Sequence, residues 1–157
     1  MKKTYLFALM ISASLVIFSC GNSQQNNEDS KNAAATSAPK PAEGGDQGVG
    51  SYKNVELTHP VDQSMAEKGK EIYGVKCIAC HKITAEKMIG PGWKGVTERR
   101  RPEYILNFVT NTDEMLDKDP NAKALLSVCM VRMPNQHLTD IEARSVLEFM
   151  RKNDGKN

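Results

Sequence analysis

The sequence is short of aromatic residues and shows no β-strand pattern. It has four Phe, four Tyr and one Trp in 157 residues, so a single domain would have a limited core of its own. Its 21 basic residues nearly balance 19 acidic ones, and this net charge alone predicts no nucleic-acid partner. No stretch alternates apolar and polar residues as strands do. These absences argue against β-rich and nucleic-acid-binding proteins.

The sequence also lacks an apolar run long enough to cross a bilayer comfortably. Its first apolar stretch, residues 5–18, follows two lysines and has the length of a secretion signal. The stretch ends at Cys20 in a pattern that resembles the lipobox of bacterial lipoproteins, although Phe18 stands where a small residue is usual. Ordinary signal cleavage and an uncleaved anchor are the alternatives. We predict a signal peptide at residues 1–19, lipid on Cys20 and export to the periplasm.

The next segment has the composition of a linker. Residues 22–51 contain no aromatic residue, Leu, Ile or Met, and such a chain cannot bury a core. We predict a flexible linker at residues 20–51, which as a coil of about 30 residues would span roughly 30 Å. The remaining residues, 52–157, suffice for one compact domain.

The domain carries helix-start signals. Ser64 and Glu67 form a capping-box pattern, which predicts a helix running towards Cys77 with Ile72, Val75 and Cys77 on its buried side. Further helices are predicted from starts at Pro102 and at Asp119-Pro120, and a second capping box at Thr139–Glu142 begins the last one, which ends before Gly155. We predict an all-α fold of about four helices.

The most informative motif is C-x-x-C-H, formed by Cys77, Cys80 and His81. Its two thiols are spaced to bond the two vinyl groups on one porphyrin edge, and the next residue brings an imidazole under the iron. We predict one covalent haem c, with His81 as an iron ligand. A zinc site that adds Cys129 and His137 would lack a second closely spaced pair. A thiol–disulfide motif would lie at the start of a helix rather than late in one.

The domain resembles the class I c-type cytochromes. Residues 67–73 look like the N-terminal helix of that family, and residues 89–96 look like its G-P-x-L-x-G-V loop. The resemblance implies a cytochrome c fold in which Gly69 and Tyr73 pack against the last helix and the carbonyl of Pro91 accepts the ring N–H of His81. Trp93 stands where the family often has Leu; its indole would contact the haem or a propionate, unless it is a core tryptophan.

Residues 132–142 resemble the M-P loop that precedes the last helix in this family, which implies that Met133 is the second axial ligand. A thioether suits ferrous iron and raises the reduction potential, and Pro134 would stiffen the loop. Other candidate ligands are Met130, Met88, Met115 and His137, although most methionines fill cores. Cys129, left without a partner, is expected to be a buried small hydrophobe.

Charge is unevenly distributed along the domain. Residues 66–101 contain nine basic and four acidic residues, whereas residues 103–119 contain one basic and five acidic residues. A basic surface near the haem motif would steer the protein to an acidic partner; a solvated surface of mixed charge is the alternative.

These features predict a membrane-tethered, monomeric one-electron carrier rather than an enzyme. The alternative is a small haem peroxidase or ligand-binding cytochrome with a labile sixth site. Residues 92–101, 107–120 and 133–136 look most like lipoprotein cytochromes of Bacteroidetes-type bacteria, some of which serve respiratory reductases, including nitrous-oxide reductase. The resemblance implies a respiratory complex or quinol-oxidising donor, and a terminal reductase or oxidase as acceptor.

Overall fold

The computed structural model describes residues 47–157. The predicted signal segment, Cys20 and residues 21–46 of the predicted linker lie outside them. The described residues contain no strand and six helices, so the all-α prediction is confirmed. The helices are α1 (Gln63–Lys76), α2 (Val96–Arg99), α3 (Pro102–Thr110), α4 (Thr112–Lys118), α5 (Pro120–Cys129) and α6 (Asp140–Asn153).

The helix starts follow the sequence signals in three cases and differ in the fourth. Pro102 and Pro120 lie in the first turns of α3 and α5, and Thr139 forms the predicted capping box at the start of α6. The capping box predicted at Ser64 was wrong, because Asp62 caps α1: its side chain accepts the backbone N–H of Met65 at 2.9 Å. This carboxylate lies two residues earlier and lengthens the helix at its start.

The main helix contact is between α1 and α6. Gly69 of α1 lies against the backbone of α6, and the rings of Tyr73 and Phe149 are 5.6 Å apart. Both expectations for Gly69 and Tyr73 therefore agree with the structure. Val75 was wrongly predicted to be buried, since its side chain is 85% exposed; two residues after Tyr73, it lies about 200° further around the helix.

A second apolar cluster joins α3, α4 and α5. Tyr104, Met115, Leu116 and Ala122 are buried in it, and Met133 packs against them from the loop before α6. This cluster explains why the domain has more helices than the predicted four: α4 contributes Met115 and Leu116, and α2 is only a single turn.

The chain before α1 lies against α3 and α4. The buried amide of Asn107 accepts the N–H of Tyr52 at 2.9 Å and donates to the carbonyl oxygens of Gln47 and Tyr52 at 2.7 and 2.9 Å. The N–H of Val49 meets the sulfur of Met115 at 2.9 Å. Residues 47–51, the end of the predicted linker, thus contact the helical domain.

None of the helices in residues 47–157 has the length and apolar character needed to cross a bilayer.

Candidate haem site

The C-x-x-C-H motif lies in a turn at the end of α1. Cys77 is the C-cap residue of the helix, and its carbonyl accepts the N–H groups of Cys80 and His81 at 3.1 and 2.9 Å. The Tyr73 hydroxyl, one helical turn earlier, donates to the His81 carbonyl at 2.7 Å. The helix end and this tyrosine together fix the position of the His81 backbone.

The loop after the motif fixes the imidazole of His81. Its Nδ1 is 2.9 Å from the carbonyl oxygen of Pro91, and because a carbonyl only accepts, Nδ1 carries the proton and Nε2 keeps its lone pair. Burial lowers the pKa of His81 and outweighs the opposite effect of the Pro91 hydrogen bond. A neutral imidazole with a free Nε2 is the form that binds a metal.

Gly90 supports one face of this ring. A Cβ atom on Gly90 would lie 2.3 Å from Cε1 of His81, so any side chain here would displace the imidazole. The loop is tied to the motif by backbone bonds from Gly90 N–H to the Cys80 carbonyl at 2.9 Å and from Trp93 N–H to the Lys82 carbonyl at 2.8 Å. The role of Gly90 was not predicted, although it belongs to the G-P-x-L-x-G-V pattern.

A largely apolar cavity adjoins His81. Its wall includes Cys80, His81, Pro91, Trp93, Val96, Arg99, Tyr104, Ile105, Phe108, Val109, Leu116, Leu125, Leu126, Cys129, Val131, Met133 and Met150. Cys77 is not in this wall but is buried in the adjacent core. The structure therefore brings Cys80, His81, Pro91, Trp93 and Met133 to one cavity.

Met133 is half-buried in this wall, and the competing candidates lie elsewhere. Met115 is fully buried in the second apolar cluster, where its sulfur contacts Val49 N–H. Met130 is 84% exposed, and neither it nor Met88 or His137 lines the cavity. Of the candidates named from sequence, only Met133 shares the cavity with His81.

Trp93 is both a core residue and a cavity residue. Its side chain is buried, and its ring centroid lies 4.9 Å from that of Tyr73 and 5.7 Å from that of His81. The two interpretations given from sequence, a core tryptophan and a haem contact, are therefore compatible.

Asp154, just after α6, was missed by the sequence analysis. Its carboxylate accepts the N–H of Gly95 at 2.5 Å, and the N–H and hydroxyl of Thr97 at 2.9 and 2.7 Å. These bonds hold the start of α2, directly after the loop that carries Pro91 and Trp93. No local pattern around Asp154 signals this role, because its partners lie 57 to 59 positions earlier.

The cysteines fit neither the thiol–disulfide motif nor the zinc site considered as alternatives from the sequence. Burial raises the pKa of the Cys77 thiol to about 11, whereas a thiol–disulfide motif needs a lowered thiol pKa. Within residues 47–157 no three His, Cys, Asp or Glu side chains gather as metal ligands, so Cys77, Cys80, Cys129 and His137 form no zinc site there. Cys129 is half-buried in the cavity wall, not in the core as expected.

These residues fit a haem. An apolar cavity that contains a neutral imidazole with a free Nε2 and a thioether offers both axial donors, and the thiol of Cys80 lies in the same wall. A helical domain with a C-x-x-C-H motif at a helix end and such a cavity defines the class of c-type haem proteins.

Comparison with known proteins gives the family. The cytochrome c family model matches residues 66–154, and the chain belongs to this family. The chain is similar to a cytochrome c from Rhodothermus marinus, at 33% identity and a TM-score of 0.65, with 68% of this chain and 90% of that one covered. An engineered form of that cytochrome, Rma TDE, matches at 32% identity and a TM-score of 0.65, with 68% and 92% covered. Family members carry covalent haem c with iron and act as electron carriers.

A curated relative is the cytochrome c-553-like protein of Synechocystis sp. (strain ATCC 27184 / PCC 6803 / Kazusa). It is 34% identical over 62 residues, which cover 38% of this chain and 59% of that protein. The chain thus spans less than two thirds of this relative.

Proposed function

We propose that the chain is a monohaem electron carrier in which Cys77 and Cys80 hold the haem and His81 and Met133 ligate its iron. The observation that carries this proposal is a single cavity with both His81 and Met133 in its wall. The bound haem supplies reversible one-electron transfer between ferric and ferrous iron. The protein orients the imidazole through Pro91 and packs Met133 against an apolar cluster.

If His81 and Met133 both ligate the iron, no ligand position would remain for a substrate, so we propose a carrier and not an enzyme. Met133→Ala tests this in the purified holoprotein. The variant should lose the weak far-red charge-transfer band of thioether ligation, have a lower reduction potential and, when reduced, bind carbon monoxide readily. Met130→Ala is the matched control and should leave all three properties unchanged.

An unchanged spectrum in Met133→Ala would contradict the assignment of this ligand. Ready binding of carbon monoxide by the wild-type ferrous protein would instead favour the ligand-binding or peroxidase alternative.

We further propose that the domain is exported and tethered to a membrane through lipid on Cys20. The support is the order of two lysines, an apolar stretch, Cys20 and a polar linker. Cys20→Ser should release the holoprotein into the soluble fraction of a host that attaches haem. Continued membrane association would point to an uncleaved signal.

The redox partners are proposed as a respiratory quinol-oxidising complex on the donor side and a terminal reductase or oxidase, such as nitrous-oxide reductase, on the acceptor side. The support is the resemblance of residues 92–101 and 133–136 to respiratory lipoprotein cytochromes. Mixing the reduced protein with a purified candidate acceptor and following its oxidation tests this step.

A further inference from the structure

The loop that carries Met133 joins α5 to α6 and has strained ends. Met130 and His137 both have left-handed backbone conformations, with φ of 57° and 49°, which non-glycine residues seldom adopt. Between them the chain forms no helix. The loop's position must therefore depend on contacts with neighbouring elements.

Arg132 fixes one end of this loop to α4. Its Nη1 lies 3.0 Å from Oδ1 of Asp117, and its Nη2 lies 3.2 Å from the carbonyl oxygen and 3.5 Å from Oδ1 of Asp113. The same helix provides Met115, which lies in the cluster that Met133 packs against. The guanidinium of Arg132 thus ties the chain next to Met133 to α4.

Lys76, the last residue of α1, fixes the other end. Its ammonium group donates to the carbonyl oxygen of Gln136 at 3.0 Å. Because Lys76 directly precedes Cys77, this bond ties the loop to the element that carries the haem motif. The two cationic side chains hold the loop on either side of Met133.

We propose that Arg132 is a positioning residue, which holds Met133 on the iron by pairing with Asp117 and Asp113. The inference rests on the proposed function, since it takes Met133 to be the sixth ligand. Replacing Met133 by an added ligand breaks one sulfur–iron bond and forms one nitrogen–iron bond, without electron transfer. The Arg132 ion pairs raise the free energy of the loop displacement that this exchange requires.

The test measures how fast imidazole binds to the ferric holoprotein. Arg132→Gln and Asp117→Asn should each raise the binding rate, by up to about fivefold for an exposed ion pair. The double variant should not exceed Arg132→Gln, since Arg132→Gln already removes the pair with Asp117. Lys118→Gln is the matched control: it removes an exposed ion pair on the same helix, with Glu114, and should not raise the rate.

Ionic strength gives a second readout. Salt screens exposed ion pairs, so the wild-type rate should rise with salt and the Arg132→Gln rate should not. Arg132→Lys keeps the positive charge, so its imidazole-binding rate should still rise with salt, but less than that of the wild type. Amide hydrogen exchange in residues 130–138 should be faster in Arg132→Gln than in Lys118→Gln.

Different results would overturn the positioning role of Arg132 and the assignment of Met133 as a ligand. If Met133→Ala alters the ferric spectrum but Arg132→Gln binds imidazole and exchanges amides at the wild-type rate, the positioning role is overturned and Met133 remains the ligand. If Met133→Ala leaves the spectrum unchanged, the ligand assignment fails, and the inference fails with it. Equal effects of Lys118→Gln and Arg132→Gln would also contradict the positioning role.

Discussion

Two glutamates on facing helices form ion pairs of similar length in different surroundings. Glu148 of α6 lies 2.6 Å from Arg151, and the two side chains are 0% and 3% exposed. Glu67 of α1 lies 2.7 Å from Lys152, and these side chains are 59% and 42% exposed. Arg151 also donates to the carbonyl oxygen of Thr58 at 2.8 Å, so the buried pair ties α6 to the chain before α1.

Glu148→Gln should therefore destabilise the holoprotein far more than Glu67→Gln. Removing one charge of a buried pair leaves the other buried without compensation, at a cost of about 3 kcal/mol. Water already screens the exposed pair, so its loss should cost less than about 1 kcal/mol. Denaturant unfolding of both variants measures the difference, and equal losses would contradict the distinction between the two pairs.

At the scale of single residues, the sequence predicts the candidate ligands better than the residues that position them. Cys77, Cys80 and His81 are recognised because haem attachment requires a fixed local spacing. Pro91 and Met133 came from the family resemblance. The sequence did not predict the positioning contacts of Arg132, Lys76 and Asp154, since each contact depends on the tertiary fold. The partner of Lys76, for example, is 60 positions away.

At the scale of elements, the crossing of α1 and α6 depends on a small residue. A Cβ atom on Gly69 would lie 2.0 Å from the carbonyl oxygen of Ser145 and 2.9 Å from Cβ of Phe149. Backbone atoms of a packed helix cannot yield as a flexible side chain can. The two helices would have to separate to admit a methyl group.

Gly69→Ala should thus destabilise the protein by about 2–3 kcal/mol through overpacking. Gly74→Ala, on the same helix, is the matched control, because a Cβ atom there has no neighbour within 4 Å. Its greater helix propensity should stabilise the protein by about 0.5–1 kcal/mol. Thermal unfolding of the two holoproteins should give shifts of opposite sign; a stabilising Gly69→Ala would refute the close approach.

The helices themselves were partly predictable. Pro102, Asp119-Pro120 and Thr139–Glu142 are local signals, and the structure places α3, α5 and α6 where they indicate. The start of α1 was misplaced because two capping residues, Asp62 and Ser64, compete, and local sequence does not show which is used. The short α4 was missed because its burial arises from packing with α3 and α5.

At the scale of the whole molecule, part of the basic stretch carries positive charge that no carboxylate in residues 47–157 pairs with. Lys87, Lys94 and Arg99 donate to backbone carbonyl oxygens, which do not neutralise their charges. Lys82 and Arg101 pair with carboxylates instead. In the acidic stretch, Asp113, Glu114 and Asp117 pair with cations, and this reduces their opposing field.

Oxidation of the ferrous protein by ferricyanide, an anion, should therefore slow as salt rises. We expect the rate to fall about threefold between roughly 0.01 and 0.2 M ionic strength, because screening weakens the attraction. A cationic cobalt(III) oxidant should show a flat or opposite response. Lys87→Gln and Lys94→Gln should each weaken the ferricyanide response, whereas Lys152→Gln, which loses the same single positive charge from a pair with Glu67, should largely retain it. Equal salt responses in these three single variants would show that net charge alone, rather than the position of the basic residues, governs the approach of a redox partner.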